Sequence, residues 1–238
     1  MEKNPFDWNH PDVYQYENKI KLKIPCYDML YDMTDRLLTV KLPKQADVLI
    51  VGAGGGQELV TFGRKHPEWR LTGVDKSVQM LDVARKRLEL SGIEADVVEG
   101  EVNNLNRERL FNAGTCMLVL HFLKDLNEKR EFLRQIADRL EEGGPFFMAS
   151  MNGDADSESF RWQMLAWKQH VLANGISEEE WEAAVNAIGE SSHPIPSADV
   201  EELLREVGFT QITRYFSAYA IDGWCAVKGG GKRSGILS

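Results

Sequence analysis

The spacing of hydrophobic and polar positions changes along the chain and divides it into regions. Residues 6–45 carry apolar and aromatic side chains at roughly helical spacing, interrupted by prolines, which predicts an N-terminal helical cap over residues 1–45. From Asp47 onward, short β-rich apolar runs alternate with helical patterns. Such alternation is typical of right-handed βαβ units, so it predicts an α/β fold with a parallel sheet covered by helices on both faces.

The same pattern bounds the individual elements. Strands are predicted at residues 48–51, 71–74, 95–98, 116–120 and 146–149, and the helices between them at about 56–65, 77–91 and 127–141. Residues 152–196 are polar with helical spacing, and we interpret them as an inserted helical lid. A helix beginning at Ser197 or Asp199 and ending at Val207 precedes two strands at 211–218 and 221–227, whose short connection makes them an antiparallel pair. The main domain is therefore expected over residues 46–228, and the tail, 229–238, is expected to be flexible.

A glycine-rich turn joins the first predicted strand to the following helix. Gly52, Gly54 and Gly56 fall where ligands bind in doubly wound folds, and a backbone that passes close to a ligand needs positions without Cβ atoms. A dinucleotide fingerprint that begins at Gly52 requires a glycine at position 57, where Gln57 stands. The turn predicts a ligand site, although a purely structural turn is the alternative for this motif alone.

Carboxylates end the next two strands. Asp75 ends the second, where it can accept hydrogen bonds from both hydroxyls of a ribose, or else cap the next helix. Glu101 follows the third strand and can accept from an adenine amino group while the Val102 N–H meets a ring nitrogen; the alternative is a solvated loop acid. Met80 and Leu118 can pack on the purine faces. Because no P-loop motif occurs, a nucleoside without a pyrophosphate, such as S-adenosylmethionine (SAM), fits these groups.

The chain resembles the class I SAM-dependent methyltransferases in several segments over about residues 46–228. The matching segments are the glycine turn, Gly-Val-Asp75-Lys-Ser-x-x-Met80-Leu, Gly100-Glu101-Val102, and the closing helix-Gly-Phe-strand-strand unit. The resemblance implies a Rossmann-like sheet of seven strands in the order 3-2-1-4-5-7-6. Within the class, the chain is similar to the carboxy-S-adenosylmethionine synthases of tRNA wobble-uridine modification, through Ile24-Pro-Cys-Tyr27, Leu120-His-Phe-Leu123 and Leu204-Arg-Glu-Val-Gly-Phe209.

This resemblance implies cofactor contacts by residues of the cap, the glycine turn and the strand ends. With the residues inferred above, the expected SAM-binding set is Tyr27, Gly52, Ala53, Gly54, Gly56, Asp75, Lys76, Met80, Glu101, Val102 and Leu118. The chain departs from the family at three places. Met117 replaces an asparagine, and Ile50 replaces an acid before the glycine turn. Near residues 181–185, no basic residue is present to hold the extra carboxylate of a carboxylated cofactor. Because a buried unpaired carboxylate is costly, SAM itself is the expected cofactor.

Composition and charge narrow the partners and the compartment. The 238 residues carry 28 Lys and Arg against 37 Asp and Glu, a net charge of −9, which disfavours nucleic acid and anionic membranes, although tRNA stays open as an acceptor. The three cysteines are far apart, which argues against a zinc site or a disulfide framework and favours a reducing cytoplasm. No metal is expected. Aromatic helices beside a cleft suggest a homodimer.

His121, which follows the fourth predicted strand, is the candidate general base. It lies where the methyl group of SAM should point and can take a proton from an acceptor; the alternative is a structural histidine bonded to a neighbouring carbonyl. Tyr16, Tyr27 and Tyr31 are candidates for the acceptor wall, with core packing as the alternative for Tyr16 and Tyr31. Helix packing or a dimer contact explains the lid tryptophans, Trp162, Trp167 and Trp181, at least as well as substrate stacking.

Four functions are compatible with these residues. Methylation of a small molecule comes first, because the acidic surface disfavours tRNA and a lid would enclose a compact acceptor. A carboxy-SAM synthase comes second, and incubation with SAM and prephenate would reveal it. The third is a protein that binds SAM or its product S-adenosylhomocysteine (SAH) without catalysis, and a nicotinamide dehydrogenase is a distant fourth.

Overall fold

The computed structural model describes the backbone of residues 16–230 and the side chains from residue 19 onward. Expectations for residues 1–15, for the Tyr16 side chain and for residues 231–238 of the tail lie outside the described residues.

The core of the protein is one mixed sheet in the order β3-β2-β1-β4-β5-β7-β6. The strands are β1 (Asp47–Val51), β2 (Arg70–Asp75), β3 (Asp96–Glu99), β4 (Ala113–Met117), β5 (Pro145–Met151), β6 (Phe209–Ala218) and β7 (Ile221–Lys228). Strands β1 to β5 pair in parallel, while β7 is antiparallel to both β5 and β6. This topology confirms the predicted Rossmann-like seven-stranded fold and its antiparallel closing pair.

Helices cover both faces of the sheet. They are α1 (Tyr16–Lys23), α2 (Tyr27–Thr39), α3 (Gln57–Lys65), α4 (Val78–Ser91), α5 (Leu126–Ala137), α6 (Glu158–Ala173), α7 (Glu178–Asn186) and α8 (Ser197–Glu206). Successive residues of β1 belong to different apolar clusters: Ile50 is in the cluster that contains Leu30 and Phe62, whereas Leu49 is in the cluster that contains Leu133. A parallel strand buried on both faces therefore needs the continuous apolar run that the sequence shows.

Strand β4 differs from its predicted span of 116–120. It covers Ala113–Met117 because Leu118 adopts a left-handed conformation with φ of 60°, which ends the extended backbone. The chain then forms a short 3₁₀ helix, Leu120–Phe122. Gly114 and Thr115 carry little hydrophobic signal, yet both are buried in the strand, so hydrophobicity alone placed the strand too late.

The helices of the segment interpreted as a lid pack on α1. The Trp167 indole N–H donates to the Lys23 carbonyl at 2.6 Å, and the Glu180 carboxylate pairs with Lys19 at 2.7 Å and Lys23 at 3.0 Å. Trp167 and Trp181 pack edge to face with centroids 5.8 Å apart, whereas Trp162 is 69% exposed. The two buried tryptophans thus join the helices to each other and to the cap. That this segment closes over an acceptor stays a prediction.

Across residues 16–230, no helix combines the length and the apolar character that a bilayer crossing requires.

Candidate active site

A cleft of about 770 Å³ lies along the carboxyl ends of β1, β2, β3 and β4. Its lining comes from the glycine turn, the strand ends and the loops after β3 and β4, and from helices α2, α3, α4 and α5. In a parallel sheet these strand ends meet at one edge, and neighbouring strands are about 4.8 Å apart. Since β3 and β4 are three positions apart in the sheet, the cleft extends over about 14 Å between their ends.

The structure brings together ten of the eleven predicted cofactor residues in this cleft. They are Tyr27, Gly52, Ala53, Gly54, Asp75, Lys76, Met80, Glu101, Val102 and Leu118. Gly56 does not line the cleft, and its contact with the cofactor stays a prediction. It is the N-cap residue of α3 and has φ of 80°, and a Cβ there would lie 3.1 Å from the Ala84 Cα. Gly56 therefore serves the close approach of α3 to α4.

Steric crowding explains why the first residue of the turn is a glycine. Gly52 has φ of 71°, and a Cβ there would lie 2.2 Å from the Val119 Cγ2 atom. Gly54, with φ of 47°, donates its N–H to the Asp75 Oδ2 atom at 2.8 Å. The turn thus lines the cleft, and its conformation is fixed in part by the carboxylate that ends β2.

Asp75 is held by backbone donors. Besides the Gly54 N–H, its carboxylate accepts the Ser77 N–H at 2.9 Å. Ser77, not Asp75, caps α4, because the Ser77 hydroxyl oxygen accepts the Met80 N–H at 3.1 Å. Burial raises the pKa of Asp75 despite these donors. The carboxylate therefore lies at the edge of the cleft, where hydroxyl donors of a ribose would add to its hydrogen bonds.

Glu101 and Lys76 form an ion pair at the β3 end of the cleft. Their side chains are 2.6 Å apart and 44% and 70% exposed, and the hydrogen bond from Lys76 lowers the pKa of Glu101. The Glu101 N–H donates to the Asn104 side chain at 2.6 Å, at the start of a 3₁₀ helix, Val102–Asn104. Glu101 is thus a solvent-exposed acid at a defined position, and the buried Val102 beside it offers an apolar surface to a base.

His121 does not line the cleft, and its assignment as the general base stays a prediction. The ring is buried, and its Nδ1 accepts the Met151 N–H at 3.2 Å, so the neutral ring carries its proton on Nε2. Burial, and to a lesser extent the nearby Lys129, lowers the pKa of His121 to about 3. A histidine in this state is a weak base that joins the end of β4 to the end of β5.

Four ionisable residues of the cleft lining were not predicted from the sequence: Glu58, Arg87, and Glu128 and Glu131 of α5. Glu58 lines the cleft with only 3% of its surface exposed, and Arg87 lines it while donating to the Gly55 carbonyl at 2.6 Å and to the Gln57 side chain at 3.2 Å. The burial of Glu58 could have been predicted, because Glu58 is four residues before the apolar Phe62 and therefore lies on the same face of the helix. Arg87 lies on α4, far from the glycine turn in sequence.

The positions that depart from the family pattern also have defined places. Met117 is buried at the end of β4 and lines the cleft, whereas no residue of 152–196, and hence none of 181–185, belongs to the lining. The far wall consists of the 3₁₀ helix after β4 and of α5, and it contains Phe122, Phe132 and two acids. Tyr27 and Tyr31 form the wall from α2, with ring centroids 4.8 Å apart.

Comparison with known proteins agrees with this description. Residues 48–144 match the family described as a methyltransferase domain. A carboxy-S-adenosyl-L-methionine synthase from Desulfotalea psychrophila is 23% identical over 94% of this chain and 92% of its own length. The synthase from Chromohalobacter salexigens is 26% identical over 89% and 79% of the two chains.

Solved structures show the same fold. The plantazolicin methyltransferase BpumL, in complex with a triazolic desmethylPZN analog and SAH, superposes with a TM-score of 0.70 at 15% identity, covering 95% of each chain. A longer chain from Nostoc punctiforme, of which this protein spans 61%, superposes with a TM-score of 0.66 at 15% identity.

The fold and the cleft define a class I SAM-dependent methyltransferase, with SAM as its cofactor. Within that class, the chain is similar to curated proteins named carboxy-SAM synthases, and residues 48–144 match a methyltransferase domain.

Proposed function

We propose that this protein transfers the methyl group of SAM to a small molecule. The observation that carries the proposal is the convergence of ten predicted cofactor residues on one cleft. Asp75 would accept from the ribose hydroxyls, and Glu101 with Val102 would contact the adenine. This order directs the sulfonium toward the other end of the cleft, where Tyr27, Tyr31 and Met117 form the wall. The net charge of −9 supports a small acceptor over a polyanion.

Methyl transfer from a sulfonium is an in-line displacement. The acceptor atom attacks the methyl carbon, the bond from that carbon to sulfur breaks, and the positive charge on sulfur is neutralised to give SAH. The protein mainly aligns the two atoms and excludes water. His121 is buried outside the cleft, so we assign it no role as a general base. An acceptor atom that loses its proton to water, or that needs no deprotonation before it attacks, fits best.

The test starts with SAM whose methyl group carries deuterium. The purified protein is incubated with this cofactor and either a metabolite extract or bulk tRNA, and mass spectrometry follows the label. We expect a labelled small molecule and SAH. Labelled tRNA without labelled small molecules would overturn the choice of acceptor. SAM binding without turnover on any acceptor would support a non-catalytic binding protein instead, and failure of SAM to bind would remove the proposal altogether.

A carboxy-SAM synthase activity is the second candidate, and the names of the curated relatives favour it. Against it, the cations described in the cleft lining already have partners: Lys76 pairs with Glu101, and Arg87 donates to the glycine turn and Gln57. A second carboxylate on the cofactor would need a cation of its own. Incubation with SAM and prephenate, followed by mass spectrometry for the carboxylated cofactor, separates the two candidates.

The proposal extends to a cytoplasmic homodimer. On the described surface, Trp162 and Leu165 of α6 are exposed apolar side chains, 69% and 63% accessible, that a second copy could cover. Light scattering after size-exclusion chromatography measures the mass in solution, and a monomer at micromolar concentration would contradict this part.

A further inference from the structure

The Glu58 carboxyl reaches the sheet beneath the glycine turn. Glu58 is the second residue of α3, and its Oε1 accepts from the Thr115 hydroxyl of β4 at 3.4 Å. Thr115 is the register partner of Ile50 in the parallel β1 and β4 pair. The carboxyl therefore lies level with Ile50, two residues before Gly52, at the end of the cleft away from Glu101.

Within the part of the chain that the structure describes, this buried carboxyl has no ion-pair partner. The ionisable groups that face it are Asp75 of β2, Cys116 of β4 and Tyr215 of β6, all of which are acids. Among residues 19–230, no Lys, Arg or His side chain forms an ion pair with Glu58. Burial raises the pKa of Glu58 to about 8, so the free protein holds it uncharged near neutral pH. A carboxyl in this state gains most from a cation that arrives with a ligand.

The other carboxylates of the cleft are already satisfied. Asp75 accepts two backbone N–H groups, and Glu101 pairs with Lys76. On α5, Glu128 accepts the Lys124 N–H at 2.9 Å and Glu131 pairs with Arg134 at 2.6 Å. Among the described lining residues, Glu58 is thus the carboxyl that has only a long hydroxyl bond and its own backbone N–H as donors.

SAM carries an α-ammonium group at the far end of its methionyl chain. With the ribose at Asp75, at the end of β2, Glu58 lies two strand spacings farther on at β4, about 10 Å, which an extended methionyl chain can cover. An ammonium group in this buried part of the cleft needs an anion, because an unpaired charge there would be costly.

We propose that Glu58 is the counter-ion of the SAM α-ammonium group, protonated in the free protein and ionised when the cofactor binds. The inference rests on SAM as the cofactor and adds a positioning residue to its site. Binding then releases the carboxyl proton to solvent. The free-energy cost of ionising Glu58 is offset by its pairing with the ligand, so cofactor affinity rises with pH until the free carboxyl itself ionises.

Isothermal titration calorimetry measures this proton release directly, in two buffers of different ionisation enthalpy at about pH 6 to 7, below the range near 8 in which a ligand amino group titrates. SAM and SAH both carry the ammonium group, whereas 5′-methylthioadenosine lacks the amino-acid part. We expect release of about one proton with SAM and SAH, none with 5′-methylthioadenosine, and a SAM affinity that rises about tenfold per pH unit. Release with SAM alone would assign Glu58 to the sulfonium and overturn the proposal.

Two variants complete the experiment. Glu58→Gln cannot ionise, so we expect it to abolish proton release, flatten the pH dependence and weaken SAM binding at least tenfold at about pH 7. Glu131→Gln, which changes a lining carboxylate that already has its cation, should keep the proton release. If Glu58→Gln retains proton release or wild-type affinity, Glu58 is not the counter-ion; loss of turnover alone would make it a base instead. Absence of SAM binding to the wild type would instead refute the proposed function.

Discussion

Two carboxylates at opposite ends of the cleft show how burial sets the behaviour of the same chemical group. Glu101 is 44% exposed beside Lys76, and its pKa is lowered. Glu58 is 3% exposed, no cation among residues 19–230 forms an ion pair with it, and burial raises its pKa to about 8. The first is a charged surface acid in the free protein, whereas the second is a neutral group.

The difference teaches what each end can contribute to binding. A ligand at Glu101 meets a carboxylate that is already hydrated and paired, so each new contact replaces an old one and adds little free energy. A cation at Glu58 would lie beside a buried carboxyl that accepts a 3.4 Å hydroxyl bond but has no ion-pair partner among residues 19–230. A charge pair is stronger in such a low-dielectric environment. The methionyl end is therefore expected to control affinity and its pH dependence, and the adenine end is expected to control orientation.

Gly52→Ala tests the part of the cleft that joins the two ends, and it has the largest expected effect. The new Cβ would lie 2.2 Å from the Val119 Cγ2 atom at a φ of 71°. The left-handed conformation costs about 1–2 kcal/mol and the overpacking about 1–3 kcal/mol. We expect the free energy of unfolding, measured by urea denaturation, to fall by about 2–5 kcal/mol. We also expect SAM binding to be lost.

Gly143→Ala is the matched control for Gly52→Ala. Gly143 has φ of 81°, but a Cβ there would meet nothing within 4 Å, so only the backbone cost of about 1–2 kcal/mol applies. Equal losses in the two variants would show that Val119 moves aside and that the turn is not sterically constrained.

Glu58→Gln should stabilise the ligand-free protein as the pH rises. Folding raises the pKa of Glu58 from 4.5 to about 8. The contribution of this group to the free energy of unfolding is therefore fully present below about pH 4.5 and is lost as the pH rises through about 8. Between these limits, the free energy of unfolding of the variant should rise relative to that of the wild type by on the order of 1 kcal/mol per pH unit. Urea unfolding from about pH 5 to 8 measures the difference, and a constant difference would contradict the raised pKa.

Asp75→Ala should weaken SAM binding by about 1–3 kcal/mol, the scale of hydrogen bonds to a charged acceptor. The carboxylate also accepts the Gly54 and Ser77 N–H groups, so part of the loss arises from a less ordered turn. Asp75→Asn retains an acceptor oxygen and should recover part of the affinity. Calorimetry with SAM measures both variants, and an unchanged affinity in Asp75→Ala would remove this residue from the site.

The sequence predicted the sheet well, and it predicted which strand ends line the cleft, because local patterns determine both. Apolar runs place the parallel strands, and chain order at the strand ends brings Gly52, Asp75 and Glu101 to one edge. The fourth strand was placed late because Leu118 breaks an apolar run with a left-handed backbone, and hydrophobicity does not report dihedral angles.

The ionisable groups of the site were harder to predict because burial and partners are tertiary properties. His121 stands at the expected strand end, yet its ring turns into the protein to accept a backbone N–H. Glu58 follows the glycine turn directly, but only the structure places its carboxyl against Thr115, without a cation. Arg87 reaches the glycine turn from α4, a contact between residues far apart in sequence.

The smallest effect is expected at the exposed end of the cleft. Lys76 and Glu101 lie 2.6 Å apart but are 70% and 44% exposed, and such pairs contribute about 0–1 kcal/mol to folding, less at high salt. Lys76→Met and Glu101→Gln, with the double variant, form a cycle in which urea unfolding gives the coupling free energy. A coupling well above 1 kcal/mol would show that this end is as strongly organised as the end at Glu58 and would remove the contrast between them.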